Sequence, residues 1–234
     1  KTTLNQAQEL GFEGTYSRMV KASISAADQQ FGAANETLEQ LSQEVPDNTD
    51  VWLLKGHLAS MSNDSEVAVE SYSKAVELAP DAAQFTLYLA QALVKNKQFS
   101  EAEKYLDNIL KIAPNHMLSN QLKAYVRFQD EDFEKAFSFS TKALQSGSHN
   151  TATQIVAGIS AYKLQKYEQA LTQLERVITK DPQNALAQRL YVTTQFRIGQ
   201  LDNAFNQLNQ ASVAEGQDSD FLSTVSMQLN RLGR

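Results

Sequence analysis

The side chains that could bind a metal or move a proton are few, and their spacing matches no catalytic motif. The histidines are His57, His116 and His149, and none lies in an HExxH segment. Three carboxylates run together at 130–132, but they lack the glycine and the spaced oxygens of a calcium-binding loop. Neither a Gly-x-Ser-x-Gly segment nor a glycine-rich phosphate loop occurs. We therefore expect no catalytic site, no metal site and no cofactor.

The composition narrows the partners that this chain can have. It has 234 residues, of which 42% are hydrophobic and 21% charged, as in a soluble folded protein. The net charge of −6 repels phosphate backbones, so nucleic acid is an unfavourable partner. Cysteine is absent, which excludes disulfides, thiolate nucleophiles and cysteine-bound zinc. No apolar run has the length that a membrane span needs.

The prolines show how the chain is organised. Pro46, Pro80 and Pro114 follow one another at intervals of 34 residues, and Pro182 comes two intervals later. Ser148 occupies the position between Pro114 and Pro182 where a proline is missing. A repeat of this length is typical of stacked helical hairpins, and proline ends the second helix of each hairpin because it lacks an N–H.

Other residues keep the same register. With proline at position 32, the units are 15–48, 49–82, 83–116, 117–150, 151–184 and 185–218. Position 20 is alanine in all six units: Ala34, Ala68, Ala102, Ala136, Ala170 and Ala204. Position 8 is small in every unit but the last: Ala22, Gly56, Ala90, Ala124, Gly158 and Val192. Small side chains at both positions allow two antiparallel helices to pack closely.

These residues resemble the tetratricopeptide repeat over essentially the whole chain. The second unit matches its pattern at Trp52, Gly56, Ala68, Tyr72, Ala75 and Pro80, and the fifth at Gly158, Tyr167, Ala170 and Pro182. The resemblance implies an all-α fold, a right-handed superhelix (solenoid) of helix-turn-helix units. The chain departs from the pattern at Lys21, Lys55 and Lys123, where leucine is usual at position 7, and at Ser140, where position 24 is usually aromatic or leucine.

The register continues past both ends of the six units. Residues 1–14 are predicted to be the end of a preceding repeat, and residues 219–234 the first helix of a seventh unit. An array that starts and stops within a unit indicates a fragment of a longer protein.

In this family, partners usually bind the concave face, formed by positions 2, 5, 9, 12 and 13 of each first helix. The candidate binding residues on that face are His57, Gln91, Tyr125, Phe128, Tyr162, Arg189 and Phe196. Two interpretations of the aromatic residues stay open. They are either anchors for a partner segment or side chains packed inside the protein.

The predicted function is a non-enzymatic scaffold that binds a protein or peptide segment. The residues by which some relatives hold a chaperone's carboxylate terminus are missing, since position 6 is Val20, Leu54, Tyr88, Leu122, Val156 and Leu190. Residues 155–204 are similar to the lipoproteins of bacterial PEP-CTERM systems. That similarity implies an exported, periplasmic or membrane-anchored protein of a Gram-negative bacterium, linked to exopolysaccharide, with any lipid anchor outside this chain. The alternative is the regulatory region of a larger enzyme, such as a glycosyltransferase.

Overall fold

A computed structural model describes residues 14–210 together with residues 223, 225–227, 230 and 231. Within this part of the chain there are twelve complete helices and no strand, and helices that follow one another pack together within each compact unit described below. The predicted all-α class is therefore confirmed. The predicted ends, residues 1–14 and 219–234, lie outside the described residues except for Gly14 and the six isolated positions.

The chain divides into two compact units, of which the first ends at Ile112 and the second begins at Ala113. The first unit has helices α1 Thr15–Ala27, α2 Phe31–Glu44, α3 Thr49–Met61, α4 Ser65–Leu78, α5 Ala83–Lys95 and α6 Phe99–Ile112. The second has α7 Met117–Gln129, α8 Phe133–Gln145, α9 Thr151–Lys163, α10 Tyr167–Lys180, α11 Ala185–Arg197 and α12 Leu201–Gln210. We call the odd-numbered helices first helices and the even-numbered ones second helices.

The contact at position 8 explains why a small residue is needed there. A methyl group added to Gly56 would lie 2.6 Å from the ring of Tyr72, and one added to Gly158 would lie 3.0 Å from Leu174. Tyr72 occupies position 24 of the hairpin that contains Gly56, and Leu174 occupies position 24 of the hairpin that contains Gly158. The alanines at position 20 are all at most 1% exposed. Positions 8, 20 and 24 thus form the core of each hairpin, while the Tyr72 ring also reaches Tyr88 of the next one.

The turn inside each hairpin has the same backbone form in all six cases. The residue at position 15 has a positive φ between 58° and 79°. These residues are Gln29, Asn63, Lys97, Glu131, Gln165 and Gly199. The N–H of the following residue then bonds to a carbonyl five residues earlier, as from Gln98 to Leu93 at 2.8 Å. This geometry is a Schellman motif, which satisfies the carbonyls at the end of the first helix.

We expect Lys97→Gly to stabilise the protein, because a side chain in the left-handed region carries a steric cost that glycine avoids. The gain should be about 0.5–1 kcal/mol in urea unfolding. Asn96→Gly is the matched control, since Asn96 ends α5 with φ of −81°. That change should lower the free energy of unfolding, and a gain of equal size in both variants would contradict the account of the turn.

A second recurrent contact joins consecutive hairpins. The side chain at position 4 donates a hydrogen bond to the carbonyl of the preceding proline. The pairs are Trp52 Nε1 to Pro46 O at 2.7 Å, Asn120 Nδ2 to Pro114 O at 3.0 Å, and Gln188 Nε2 to Pro182 O at 2.6 Å. The 34-residue repeat 117–150 has Ser148 in place of the proline. Ser148 is buried, and its hydroxyl accepts hydrogen bonds from Gln121 Nε2 and from the N–H of Asn150.

Replacing Asn120 by leucine keeps the number and branching of the side-chain heavy atoms and removes the donor, so the carbonyls of Pro114 and His116 each lose a hydrogen bond from this side chain. We expect a loss of about 1 kcal/mol in the free energy of unfolding. Asn203→Leu, at an exposed position of α12, should change it by less than about 0.5 kcal/mol. Equal effects of the two substitutions in urea unfolding would show that the hydrogen bonds donated by Asn120 contribute nothing to stability.

Candidate functional site

The first helices of the second unit form a layer. Helix α7 contacts α9, and α9 contacts α11, while the second helices pack against them. In the first unit α1 contacts α3 in the same manner. Residues four apart share one side of a helix, so positions 5, 9 and 13 of neighbouring first helices lie on a common side. We call the set α7, α9 and α11 the first-helix layer of the second unit.

His57 is part of an aromatic cluster in the first unit. Its ring centroid lies 4.9 Å from that of Tyr88 and 5.6 Å from that of Tyr72, both in edge-to-face geometry. Its Nδ1 is 2.6 Å from the carbonyl of Leu53, and the Tyr72 hydroxyl is 3.3 Å from Ser60 Oγ. Burial lowers the pKa of His57, and burial is also the main cause that raises the pKa of Tyr72. His57 therefore packs the hairpins together.

The lowered pKa of His57 predicts a pH dependence of stability. The unfolded chain takes up the proton more readily than the folded one, so stability is lost as the pH falls below the ordinary pKa of histidine. We expect the free energy of unfolding to fall less between pH 7.5 and 5.5 in His57→Gln than in the parent. His149→Gln is the control, because His149 is exposed. An unchanged pH profile in His57→Gln would contradict this assignment.

The aromatic residues at position 12 pack onto the following helix. Phe128 lies edge-on to Phe133, with the ring centroids 5.9 Å apart, and Tyr162 lies at 5.8 Å from Tyr167. Phe128 packs beside the buried Ala124, Ala136 and Val156, and Tyr162 beside the cluster that contains Ala170 and Leu174. The interpretation of internal packing therefore describes both side chains, which are half-buried.

The burial of Phe196 contradicts its prediction as a binding residue. Its side chain is 2% exposed and packs with Val192, Ala204 and Phe205, the last at a centroid distance of 5.2 Å. A buried ring has no surface to offer a partner, so Phe196 is a core residue. Position 12 does not indicate an exposed side chain in this repeat, because the Phe196 side chain packs against Phe205 of α12.

The remaining candidates differ in how far they reach the surface. Tyr125 is 42% exposed, whereas Gln91 and Arg189 are half-buried. The sequence analysis did not single out Met117 and Leu186, which are 39% and 40% exposed on the same layer. Leu186 occupies position 2 of its unit, which the family pattern includes in the concave face, so that pattern already pointed to it.

Two of the three lysines at position 7, Lys55 and Lys123, are accommodated by aromatic rings, whereas Lys21 is exposed. Lys55 is 8% exposed, with its Nζ 5.0 Å from the ring of Trp52 and 2.7 Å from Glu39 Oε2. Lys123 is 7% exposed, and its Nζ lies 5.1 Å from the Phe139 ring. An ammonium held over a ring face keeps part of its electrostatic stabilisation when it leaves water. These lysines replace the usual leucine without being open to a partner.

The acidic turn between α7 and α8 serves the helices themselves. Asp132 accepts from the N–H of Lys135 at 3.1 Å, and its Oδ2 is 2.9 Å from the ammonium of the same lysine. The hydrogen bond from the Lys135 side chain is the main cause that lowers the pKa of Asp132. Asp130 pairs with Arg127 at 3.5 Å.

The other groups considered for metal binding also have structural contacts. His116 accepts from the N–H of Ser119 at 3.3 Å and caps α7. The carbonyl of His149 accepts from Lys180 Nζ at 3.2 Å. Among the residues that the structure describes, no three histidines or carboxylates are placed to hold a metal ion. No helix in the described part of the chain has the length and apolar composition that crossing a membrane requires.

An all-α array of helical hairpins, held by small residues at the crossings, defines a helical-repeat protein. Two family models support this class: the tetratricopeptide domain of cytochrome c-type biogenesis protein H matches residues 37–152, and a general tetratricopeptide-repeat model matches residues 155–220. The chain belongs to the tetratricopeptide-repeat superfamily.

Solved structures agree with this fold. The chain is similar to the pilF protein of Pseudomonas aeruginosa, with a TM-score of 0.70 and 14% identity over 96% of this chain and 99% of that one. It is also similar to YrrB, a tetratricopeptide protein with an unusual peptide-binding site, with a TM-score of 0.63 and 16% identity over 79% of this chain and 95% of that one. A match to the Cut9-Hcn1 hetero-tetramer has a TM-score of 0.67 and 15% identity. It covers 97% of this chain but only 45% of the other.

Proposed function

We propose that this protein is a non-enzymatic scaffold that binds a segment of a partner protein on the first-helix layer of its second unit. The observation that carries the proposal is the position of the apolar surface. Between residues 113 and 210, the exposed large hydrophobic side chains are Met117, Tyr125 and Leu186, and all three belong to first helices. Exposed apolar and aromatic side chains grouped on one surface are typical of protein interfaces.

The close packing behind the layer also favours binding. The second helices pack against it through alanines at position 20 that are fully buried, among them Ala136, Ala170 and Ala204. A surface that is already ordered loses little entropy when a partner segment docks. YrrB supports the same interpretation, because that relative has a peptide-binding site on a fold of this class.

The test is quantitative affinity capture from the native host with the parent, a Tyr125→Ser/Leu186→Ser variant and a Lys135→Ser control. Lys135 lies on α8, outside the layer, and its side chain is 61% exposed. We expect the double variant to recover about tenfold less of the proteins that the parent captures, because interface anchors contribute about 2 kcal/mol or more. The control should recover the parent's amounts. Undiminished recovery with the double variant would contradict the proposal.

We further propose that the natural setting is an exported bacterial lipoprotein linked to exopolysaccharide production. The support is the resemblance of residues 155–204 to lipoproteins of PEP-CTERM systems. Isolation of the protein from its host and mass spectrometry of its mature amino terminus test this. A lipid-modified cysteine is the expected result, and an unmodified cytoplasmic terminus would contradict it.

A further inference from the structure

The residue before each first helix is at position 34 of the repeat, and before α7 this residue is a histidine. The side chains of Asn48, Asn150 and Asn184 accept hydrogen bonds there from backbone N–H groups in the first turn of the helix that follows. His116 does the same for α7, since its Nδ1 accepts from the N–H of Ser119 at 3.3 Å. Asparagine is a preferred residue at a helix N-cap, whereas histidine is not. Histidine is also the side chain whose charge commonly changes between about pH 5 and 8, so α7 has a cap that can be protonated.

The hydrogen bond from Ser119 determines which form of the His116 ring can cap the helix. Nδ1 accepts the N–H through its lone pair, so the proton of the neutral ring lies on Nε2. An imidazolium ring has a proton on both nitrogens and no acceptor left. The Ser119 hydroxyl lies 2.9 Å from Nδ1, and a charged ring can still donate a hydrogen bond to it. The backbone N–H of Ser119, however, is bonded only by the neutral ring.

The surroundings of Ser119 make the loss of this hydrogen bond costly. Ser119 is fully buried, so water cannot readily replace the imidazole at its N–H while the first turn stays folded. A positive charge on His116 would also lie beside the partial positive charge of the helix N-terminus, which is unfavourable. Both effects favour opening of the turn once the ring is charged.

The elements packed against the start of α7 bring no carboxylate to His116. Helix α7 contacts α8 and α9, and because the hairpin is antiparallel, the start of α7 lies beside the end of α8. In the described part of the second unit, the charged or titratable side chains at that end are Lys142 on α8 and His149 in the turn before α9. The carboxylates of Glu134 and of the turn at 130–132 belong to the opposite end of the hairpin. Helices α7 and α9 themselves carry only basic charges, on Lys123, Arg127 and Lys163.

We infer that the first turn of α7 opens more readily when His116 takes up a proton, so that mildly acidic conditions loosen the start of the first-helix layer of the second unit. This inference goes beyond the proposed function, because it concerns the folding of α7 with or without a partner. Its consequence for binding rests on the proposed function: Met117, one of the exposed apolar residues of the layer, is the first residue of that turn.

The experiment measures hydrogen exchange of single backbone amides by NMR in the full chain, at pH 7.5 and 5.5, for the parent and His116→Asn. Each rate is divided into the intrinsic rate at that pH to give a protection factor, which reports local opening. Asparagine is the matched replacement, because it caps other first helices of this chain and does not titrate. The amides of Thr153 and Ala187 are internal controls, since both residues are buried and their N–H groups bond to asparagine caps at 3.2 and 3.0 Å.

We expect the protection factor of the Ser119 amide to fall about fivefold from pH 7.5 to 5.5 in the parent, the size of effect that loss of a helix cap usually has. In His116→Asn it should stay constant, as should those of Thr153 and Ala187 in both proteins. An unchanged Ser119 protection factor in the parent would overturn the inference. The same fall in His116→Asn, or an equal fall at all three amides, would also overturn it, because the cause would then lie outside the cap.

The consequence for binding is tested by quantitative affinity capture from the native host with the same two proteins at both pH values. Recovery should be equal at pH 7.5, whereas at pH 5.5 the parent should recover about twofold less than His116→Asn, because less of it has the layer fully folded. Equal recovery at pH 5.5 would overturn this consequence and leave the proposed function standing. The proposed function itself fails on a different result, undiminished capture by the Tyr125→Ser/Leu186→Ser variant.

Discussion

Ala170→Leu is expected to lower the free energy of unfolding by about 1–3 kcal/mol, because the larger side chain has no room in the hairpin core. Ala170 is fully buried and packs in one cluster with Ala161, Leu174 and Val177. Three added carbon atoms must displace one of these neighbours or separate α9 from α10. Urea unfolding of the parent and the variant measures the loss.

Glu168→Gln is the control for that substitution. Glu168 lies two residues earlier on the same helix with an exposed side chain, so the change should stay within about 0.5 kcal/mol of the parent. Unaltered stability in Ala170→Leu would contradict the assignment of position 20 to the core of the hairpin.

Gly56→Ala should destabilise the protein by a similar amount, about 1–3 kcal/mol, although alanine is the better helix former by about 1 kcal/mol. The added methyl group would lie 2.6 Å from Cε1 of Tyr72, a distance that requires the ring to move. The ring has little freedom, because it is 4% exposed and contacts both His57 and Tyr88.

A double-mutant cycle separates this clash from other effects. Other hairpins pair alanine at position 8 with leucine at position 24, as in Ala22 with Leu38 and Ala90 with Leu106. In a Tyr72→Leu background, Gly56→Ala should therefore cost little or stabilise the protein. The same cost in both backgrounds would show that the Tyr72 ring is not the reason for glycine at this position.

The core of the hairpins could be predicted because it depends on side-chain size. Alanine at position 20 and small residues at position 8 follow from the close approach of two helices, and the structure buries all of them. Proline at position 32 predicts the end of the second helix, because proline has no backbone N–H to donate to the helix.

The turns could not be predicted in the same way. Position 15 holds glutamine, asparagine, lysine, glutamate and glycine, yet each adopts a positive φ. Backbone hydrogen bonds at the helix end impose this conformation, so no single side chain marks it. The hydrogen bond to the proline carbonyl could not be predicted either, because three different side chains at position 4, tryptophan, asparagine and glutamine, donate it.

The candidate surface was predicted only in part. The family pattern predicted Tyr125 on the concave face, and its side chain is exposed on a first helix, but the periodicity did not distinguish a ring that faces solvent from one that packs on the next helix, as Phe128 and Phe196 do.

The central claim is that partners bind the first-helix layer of the second unit. The most direct test introduces a photo-cross-linking phenylalanine analogue, benzoylphenylalanine, at Leu186 and, separately, at Lys135 in the intact protein in its native host. Both side chains are exposed, but Leu186 lies on α11 and Lys135 on α8. We predict a covalent adduct with a partner protein from position 186 and none from position 135. Adducts of equal yield at both positions, or an adduct from position 135 alone, would contradict the account.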